Sequence, residues 1–332
     1  MIEDWSKGRV QCVFRNINMK VPQFRKRFLC HIKTLEIAIQ RQLALNCDDD
    51  HKYTVPFHCC AYDTVSFIQW CIDYGVDVNQ CNCKNGSPLF VSAREGHIEV
   101  VMLLLQNKAD INRCSDEGGV SPLMVACFHN NIEIVKILLE NNADINMRDD
   151  NGLSPLFIAC QYNHIEVVKT LLNNKADIDN CSLNGMSPLF VACQLSHIEI
   201  VNLLLQNRAD INKFLDKGAS PLMVACLNNH IEIVKILLKN NADINMREGN
   251  GLSPLFIACQ NNHIEVVKTL LENKADIDNC VSNGMSPLCV ASQLNHAAIV
   301  KLLLDYKADI NKCQNDGASP LLLLVTIIML RL

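Results

Sequence analysis

Eighteen cysteines and ten histidines stand out in this chain of 332 residues, since thiols and imidazoles are the usual zinc ligands and the usual nucleophiles and bases. Their placement decides what they can do. Cys59, Cys60, Cys71, Cys81 and Cys83, with His58, are the one cluster of metal-binding types, and it lacks a paired Cys-x-x-Cys set. His97, His164, His197, His230, His263 and His296 recur on a fixed long period, too far apart to share an ion. Cys127, Cys160, Cys193, Cys226 and Cys259 recur in the same way, each after an alanine, which predicts buried thiols packed as small apolar groups. Carboxylates such as Glu166 and Asp177 repeat as well, whereas a catalytic carboxylate would be singular. No Gly-rich phosphate loop, Gly-x-Ser-x-Gly elbow or His-Glu-x-x-His pair is present. The chemistry expected is therefore none: no catalytic residue, no cofactor, no metal and no small-molecule substrate.

The period belongs to the elements that position these residues. Ser-Pro-Leu begins at Ser87, Ser121, Ser154, Ser187, Ser220, Ser253, Ser286 and Ser319, a spacing of 34 and then six times 33. Ala-Asp-Ile-Asn or Ala-Asp-Ile-Asp follows at Ala109, Ala143, Ala176, Ala209, Ala242, Ala275 and Ala308. In the unit from Ser154, the serine suits an N-cap and Pro155 the first helical position, where an N–H has no partner to lose. A short helix to about Tyr162 and a left-handed turn at Asn163 are predicted. A second helix starts near His164, with Ile165, Val168, Leu171 and Leu172 as its apolar stripe. The Asp- and Asn-rich stretch after Asn173, Asn174 and Lys175 reads as a turn or short hairpin. Helices this short fall below the ~12–15 residues needed for stability alone, so stacking must hold them.

Helix, turn, helix and hairpin at this period, with Ser-Pro-Leu and Ala-Asp-Ile-Asn, resembles the ankyrin repeat. The resemblance implies an all-α ankyrin-repeat solenoid of stacked helix-turn-helix units with short hairpin loops. Seven units cover residues 83–313, a degenerate one lies at 53–82 around Val55-Pro56-Phe57, and a truncated one with an apolar tail occupies 314–332. The expected shape is an elongated right-handed stack on the order of 80 Å long. The family's Thr-Pro-Leu-His here ends in Phe90, Met124, Phe157, Phe190, Met223, Phe256 or Cys289, so its histidine hydrogen bonding should give way to apolar packing. The cysteines after alanine stand where the family has a small buried residue, and the histidine ladder is structural in the family. Where the family has glycine, Lys108, Asn142, Lys175, Arg208, Asn241, Lys274 and Lys307 stand; each Lys or Arg costs roughly 1 kcal/mol if φ stays positive.

The resemblance implies a protein-binding scaffold or adaptor, not an enzyme, with its partner on the concave face. Partners of the family touch the two exposed positions closing the first helix. Here these are Arg94/Glu95, Phe128/His129, Gln161/Tyr162, Gln194/Leu195, Leu227/Asn228, Gln260/Asn261 and Gln293/Leu294. They also touch the hairpin tips: Asp116, Glu117, Asp149, Asp150, Leu183, Leu215, Asp216 and Lys217. Residues 121–153 match 220–252 at 27 of 33 positions, and 154–186 match 253–285 at 29 of 33, so a three-unit block is duplicated. The copies differ where Phe128, His129 and Tyr162 became Leu227, Asn228 and Asn261, which predicts that binding leans on the aromatic copy at 121–186.

Charge and the two ends complete the reading. The net charge is −5, with residues 1–52 at +4 and residues 53–332 at −9. This excludes a strongly basic nucleic-acid binder and favours a basic protein partner. In the basic segment Phe24, Phe28, Ile32, Leu35, Ile39 and Leu43 make an amphipathic helix, read as a cap on the stack or the remnant of another domain. The second reading resembles the segment before the repeats in large invertebrate signalling NTPases, and implies a regulatory or sensing arm whose effector domain lies elsewhere. Leu321 to Leu330 is about half the ~20 residues a membrane span needs, so no span is expected; either a partner covers that apolar tail or the chain is a truncated gene product, the preferred reading. No signal peptide is visible. Cys114, Cys181, Cys280 and Cys313 mark the turns, roughly 10 Å apart in adjacent units and beyond the ~7 Å limit for bridging. Reduced thiols fit the cytoplasm or the nucleus.

Overall fold

A computed structural model describes residues 63, 65–81, 86–115, 118–213, 218–312 and 320. The basic segment 1–52, the Val55-Pro56-Phe57 entry of the degenerate unit, His58, Cys59, Cys60, Cys83, Cys313 and the apolar tail 321–332 lie outside the described residues. Within them are fifteen helices and no strand. In chain order they are α1 (Val65–Asp73), α2 (Pro88–Glu95), α3 (Ile98–Gln106), α4 (Pro122–Phe128), α5 (Ile132–Glu140), α6 (Pro155–Gln161) and α7 (Ile165–Asn173). The remainder are α8 (Pro188–Gln194), α9 (Ile198–Gln206), α10 (Pro221–Leu227), α11 (Ile231–Lys239), α12 (Pro254–Gln260), α13 (Ile264–Glu272), α14 (Pro287–Gln293) and α15 (Ala297–Asp305). In each unit whose two helices are both described, a first helix of seven or eight residues is followed by a second of nine, the expected helix-turn-helix.

Each first helix begins as its sequence dictates. Ser87, Ser187 and Ser286 sit in extended backbone and accept a hydrogen bond at Oγ from the N–H three residues on, at 3.1 Å, and proline follows at the first position. Apolar packing was expected to replace the family's histidine bonding at the third position; two units keep a bond instead. The Met124 and Met223 thioethers accept the N–H of Ser121 and Ser220 at 3.4 Å, closing a capping box with sulfur as the weak acceptor.

The turn out of each first helix is left-handed. Asn130, Asn163, Asn229, Asn262 and Asn295 have φ of 58–60°, and Ser196 takes 63° without the local hydrogen bonding that suits asparagine to this region. The position before Ala-Asp is left-handed too: Lys108, Lys175, Arg208, Lys274 and Lys307 stand at φ of 63–71°. Each of these five therefore carries the strain of roughly 1 kcal/mol that glycine would relieve.

The described chain forms two compact units, one reaching Ala159 and including Asn173–Ala176, the other holding Cys160–Leu172 and the residues from Asp177 onward. In the N-terminal unit α2 packs on α3 and α4, and α3 on α1 and α5. In the C-terminal unit the first helices α8, α10, α12 and α14 stack on one another in order, and the second helices α9, α11, α13 and α15 do the same. The core between the two layers is made from repeated positions: Leu189, Ala192, Cys193, Ile200, Val201 and Leu204 in one repeat, and their counterparts in the next, are at most 1% exposed.

The second-helix stripe needs correcting. The expected members Ile165 and Leu172 are half-buried, and Ile98, Ile198 and Ile264, the equivalents of Ile165, are 40–42% exposed, while Val167 is fully buried. The buried stripe is Val167, Val168 and Leu171.

Candidate partner-binding face

The residues that repeat are held by the scaffold. His197 and His296 place Nδ1 2.9 Å from the carbonyls of Cys160 and Cys259, and His230 and His263 place Nε2 3.0 Å from those of Gln194 and Leu227. The nitrogen against each carbonyl must carry the proton and donate it. Each imidazole thus ties the start of a second helix to the end of the first helix one repeat earlier. Where asparagine replaces histidine the tie persists: Asn131 Nδ2 donates to the carbonyls of Ala93 and Arg94 at 2.8 and 3.1 Å. The ladder satisfies orphan carbonyls at helix C-termini.

The repeated Asp-x-Asn/Asp does the same at the turns. Asp110, Asp144, Asp210, Asp243, Asp276 and Asp309 accept at Oδ1 from the N–H two residues on, at 2.9–3.2 Å. Their own N–H groups donate to Asn79, Asn112, Asp179, Asn212, Asn245 and Asp278 of the preceding repeat at 2.7–3.1 Å. Asp179 shows what a carboxylate in this ladder costs. Half-burial raises its pKa above the usual range, the Asp210 N–H draws it back down, and the Asp210 charge raises it further.

The five cysteines after alanine are free thiols with no exposed surface, and burial alone pushes their pKa far up, so they are poor nucleophiles. Cys114, Cys181 and Cys280 at the turns are half-buried, Cys181 Sγ donates to the Asp179 carbonyl at 3.3 Å, and Cys114 Sγ lies 3.6 Å from Met147 Sδ of the next repeat. Among the described residues no three His, Cys, Asp or Glu side chains group to hold a metal ion, and no helix is long and apolar enough to cross a membrane.

The variable positions end the first helices of each unit. Phe128, Tyr162, Leu195, Leu227 and Leu294 are 44–49% exposed, each at the end of a first helix. Gln194, Gln260 and Gln293 are exposed beside them and Gln161 is half-buried. In the N-terminal unit the Phe128 and His129 rings meet edge to face at 4.9 Å, and Arg94 pairs with Glu95 at 2.7 Å. In the C-terminal unit Tyr162 stacks on His164 with ring centroids 6.2 Å apart. Asn228 and Asn261 are exposed but donate Nδ2 back to the carbonyls of Val224 and Ile257 at 2.9 Å, which leaves less of each amide for a ligand.

The hairpin candidates divide. Leu183 is 69% exposed at its tip. Asp149 accepts the N–H groups of Asn151 and Leu153 at 2.9 and 2.7 Å, so its carboxylate shapes the hairpin. Asp150 N–H donates to Gly118 O at 3.0 Å; a Cβ on Gly119, at φ 64°, would come within 2.6 Å of Asp150 Oδ1, which reserves that position for glycine. Asp116, Glu117, Leu215, Asp216 and Lys217 lie outside the described residues. Sequence reasoning missed the second-helix surface, where Ile98, Met102, Ile198 and Ile264 are 40–45% exposed; their helical spacing reads as core and conceals them.

The family description for ankyrin repeats in three copies matches residues 30–115, 56–149, 103–181, 123–214, 156–248 and 222–316. The chain belongs to the ankyrin-repeat family. Ankyrin repeats are in general protein–protein interaction modules and typically not enzymes. This ankyrin-repeat chain is 30% identical to the crystal structure of the human ASB11 ankyrin repeat domain, with a TM-score of 0.57 over 64% of this chain and 98% of that one. It is also 34% identical over 76 residues to ankyrin repeat domain-containing protein 37 of Xenopus tropicalis, which covers 23% of this chain and about half, 47%, of that protein.

Proposed function

We propose that this ankyrin array is a non-enzymatic adaptor that binds a protein partner through the exposed ends of its first helices. One observation carries the reading. Phe128, Tyr162, Leu195, Leu227 and Leu294 stand at 44–49% exposure at two adjacent recurring positions that the scaffold does not need to be apolar, since Arg94 and Gln194 occupy the first elsewhere and Glu95, Asn228 and Asn261 the second. Half-exposed aromatic and aliphatic anchors ringed by polar groups are what an interface core uses. The histidines and aspartates that could have done chemistry are engaged in joining repeat to repeat, and the thiols are buried, which supports binding over catalysis.

The test is a pull-down from cell extract with the wild type and three variants: Phe128→Ala, Tyr162→Ala, and Leu227→Ala with Asn261→Ala. The duplication predicts that the first two lose partner and the third loses less. Equal recovery by all four would mean that this face is not the recognition surface.

A further inference from the structure

The face in the C-terminal unit has a property that its partner must share. Its five turns, at 161–163, 194–196, 227–229, 260–262 and 293–295, contain no Asp, Glu, Lys or Arg, in a chain that is 20% charged. The fold does not forbid charge there, because Arg94 and Glu95 fill the same positions in the N-terminal unit. Nor is the C-terminal unit short of charge. Its second helices carry ion pairs between Lys169 and Glu166 at 2.8 Å, Lys169 and Glu199 at 3.4 Å, and Lys235 and Glu232 at 3.1 Å. What the turns offer instead is carboxamide beside aliphatic carbon. Gln194, Gln260 and Gln293 are exposed, and none of their side-chain carboxamides has a hydrogen-bond partner among the described residues.

We infer that this row takes an extended, uncharged stretch of polypeptide, with the glutamine carboxamides on its main chain and Leu195, Leu227 and Leu294 on its apolar side chains. The inference rests on the reading above and names the partner's chemistry. A carboxamide carries both a donor and an acceptor, which is what a peptide N–H and C=O need together. Stacked helices lie about 8–10 Å apart. Three residues of chain extended as polyproline II advance roughly 9 Å and bring the side chain back to the same face, so every third residue of such a peptide meets the next repeat. A helical partner would have its peptide groups already paired along its own axis and could not use the amides. A charged side chain laid on the row would lose hydration and meet no counter-charge. The acidic balance of the chain had pointed to a basic partner; for this row the local chemistry points to a neutral one.

The experiment pans a displayed library of random linear peptides against the immobilised 332-residue chain. The enriched peptides should be uncharged, with apolar residues about three and then six positions apart, matching Leu195, Leu227 and Leu294. Their affinity should change less than about twofold between roughly 50 and 500 mM salt. It should fall about tenfold or more in the Gln194→Ala/Gln260→Ala double variant, whose melting curve confirms that the fold is kept. Basic, salt-sensitive peptides, peptides indifferent to the double variant, or no enrichment at all would overturn the inference. A Leu195→Asp variant separates the two levels. If overturning peptides still lose binding to it, the row remains the recognition face and only the proposed peptide chemistry is wrong; if they bind it as well as the wild type, both readings fail.

Discussion

Ser292 breaks the pattern of buried thiols. It occupies the place of Cys127, Cys160, Cys193, Cys226 and Cys259, and its Oγ is buried without a hydrogen-bond partner among the described residues. Sulfur tolerates that environment and a hydroxyl does not. Ser292→Cys should therefore raise the free energy of unfolding by about 1 kcal/mol, read from urea melts; a loss of stability would mean that the hydroxyl is satisfied in solution. Asp179 makes a second case. Its raised folded pKa means that the folded state holds the proton more tightly than the unfolded chain does. The stability it contributes is full below the unfolded value of about 3.9 and is lost as pH rises through the folded value. Asp179→Asn keeps the acceptor for the Asp210 N–H, as Asn112, Asn212 and Asn245 do in their repeats. The variant should be more stable at neutral pH by no more than about 0.5 kcal/mol, since the group is largely solvated, and should show a flatter pH profile over that window. An unchanged slope between pH 4 and neutrality would contradict the assignment.

At the scale of the element, the short helices and their turns were legible because local rules fix them. Serine then proline starts each first helix, asparagine takes the left-handed turn, and an apolar stripe marks the second helix. The contacts made from one repeat to the next were not. Nothing in the 33-residue phrase says that His263 reaches the Leu227 carbonyl, or that Asn245 accepts from Asp276, because both bonds join residues more than thirty apart. The same gap explains Ile165, whose spacing fits the stripe but whose surroundings are set by a neighbouring pair. The candidate site was legible as positions and not as chemistry: sequence shows that residues 194 and 195 vary, not that the amide of Asn261 is turned back on its own helix. A bond of this kind contributes about 1 kcal/mol net, so His263→Ala should lower stability by about that amount. Lys268→Ala, on the exposed side of the same helix, should change it by less than about 0.5 kcal/mol. Thermal melts of the two variants side by side give the comparison, and equal losses would show that the ladder does not bear on stability.

For the whole molecule the account makes one division of labour. The repeated phrases build and join repeats, and the proposal gives the variable first-helix ends to a partner. A photo-crosslinking residue placed at position 195, on the turn row, or at position 268, on the second-helix surface, tests this most directly in cell extract. Both positions are exposed, so either accepts the probe without disturbing the core. The account predicts a discrete crosslinked protein from position 195 that Leu294→Asp diminishes, and none from position 268. A crosslink from position 268 alone would place recognition on the outer helices and contradict the account.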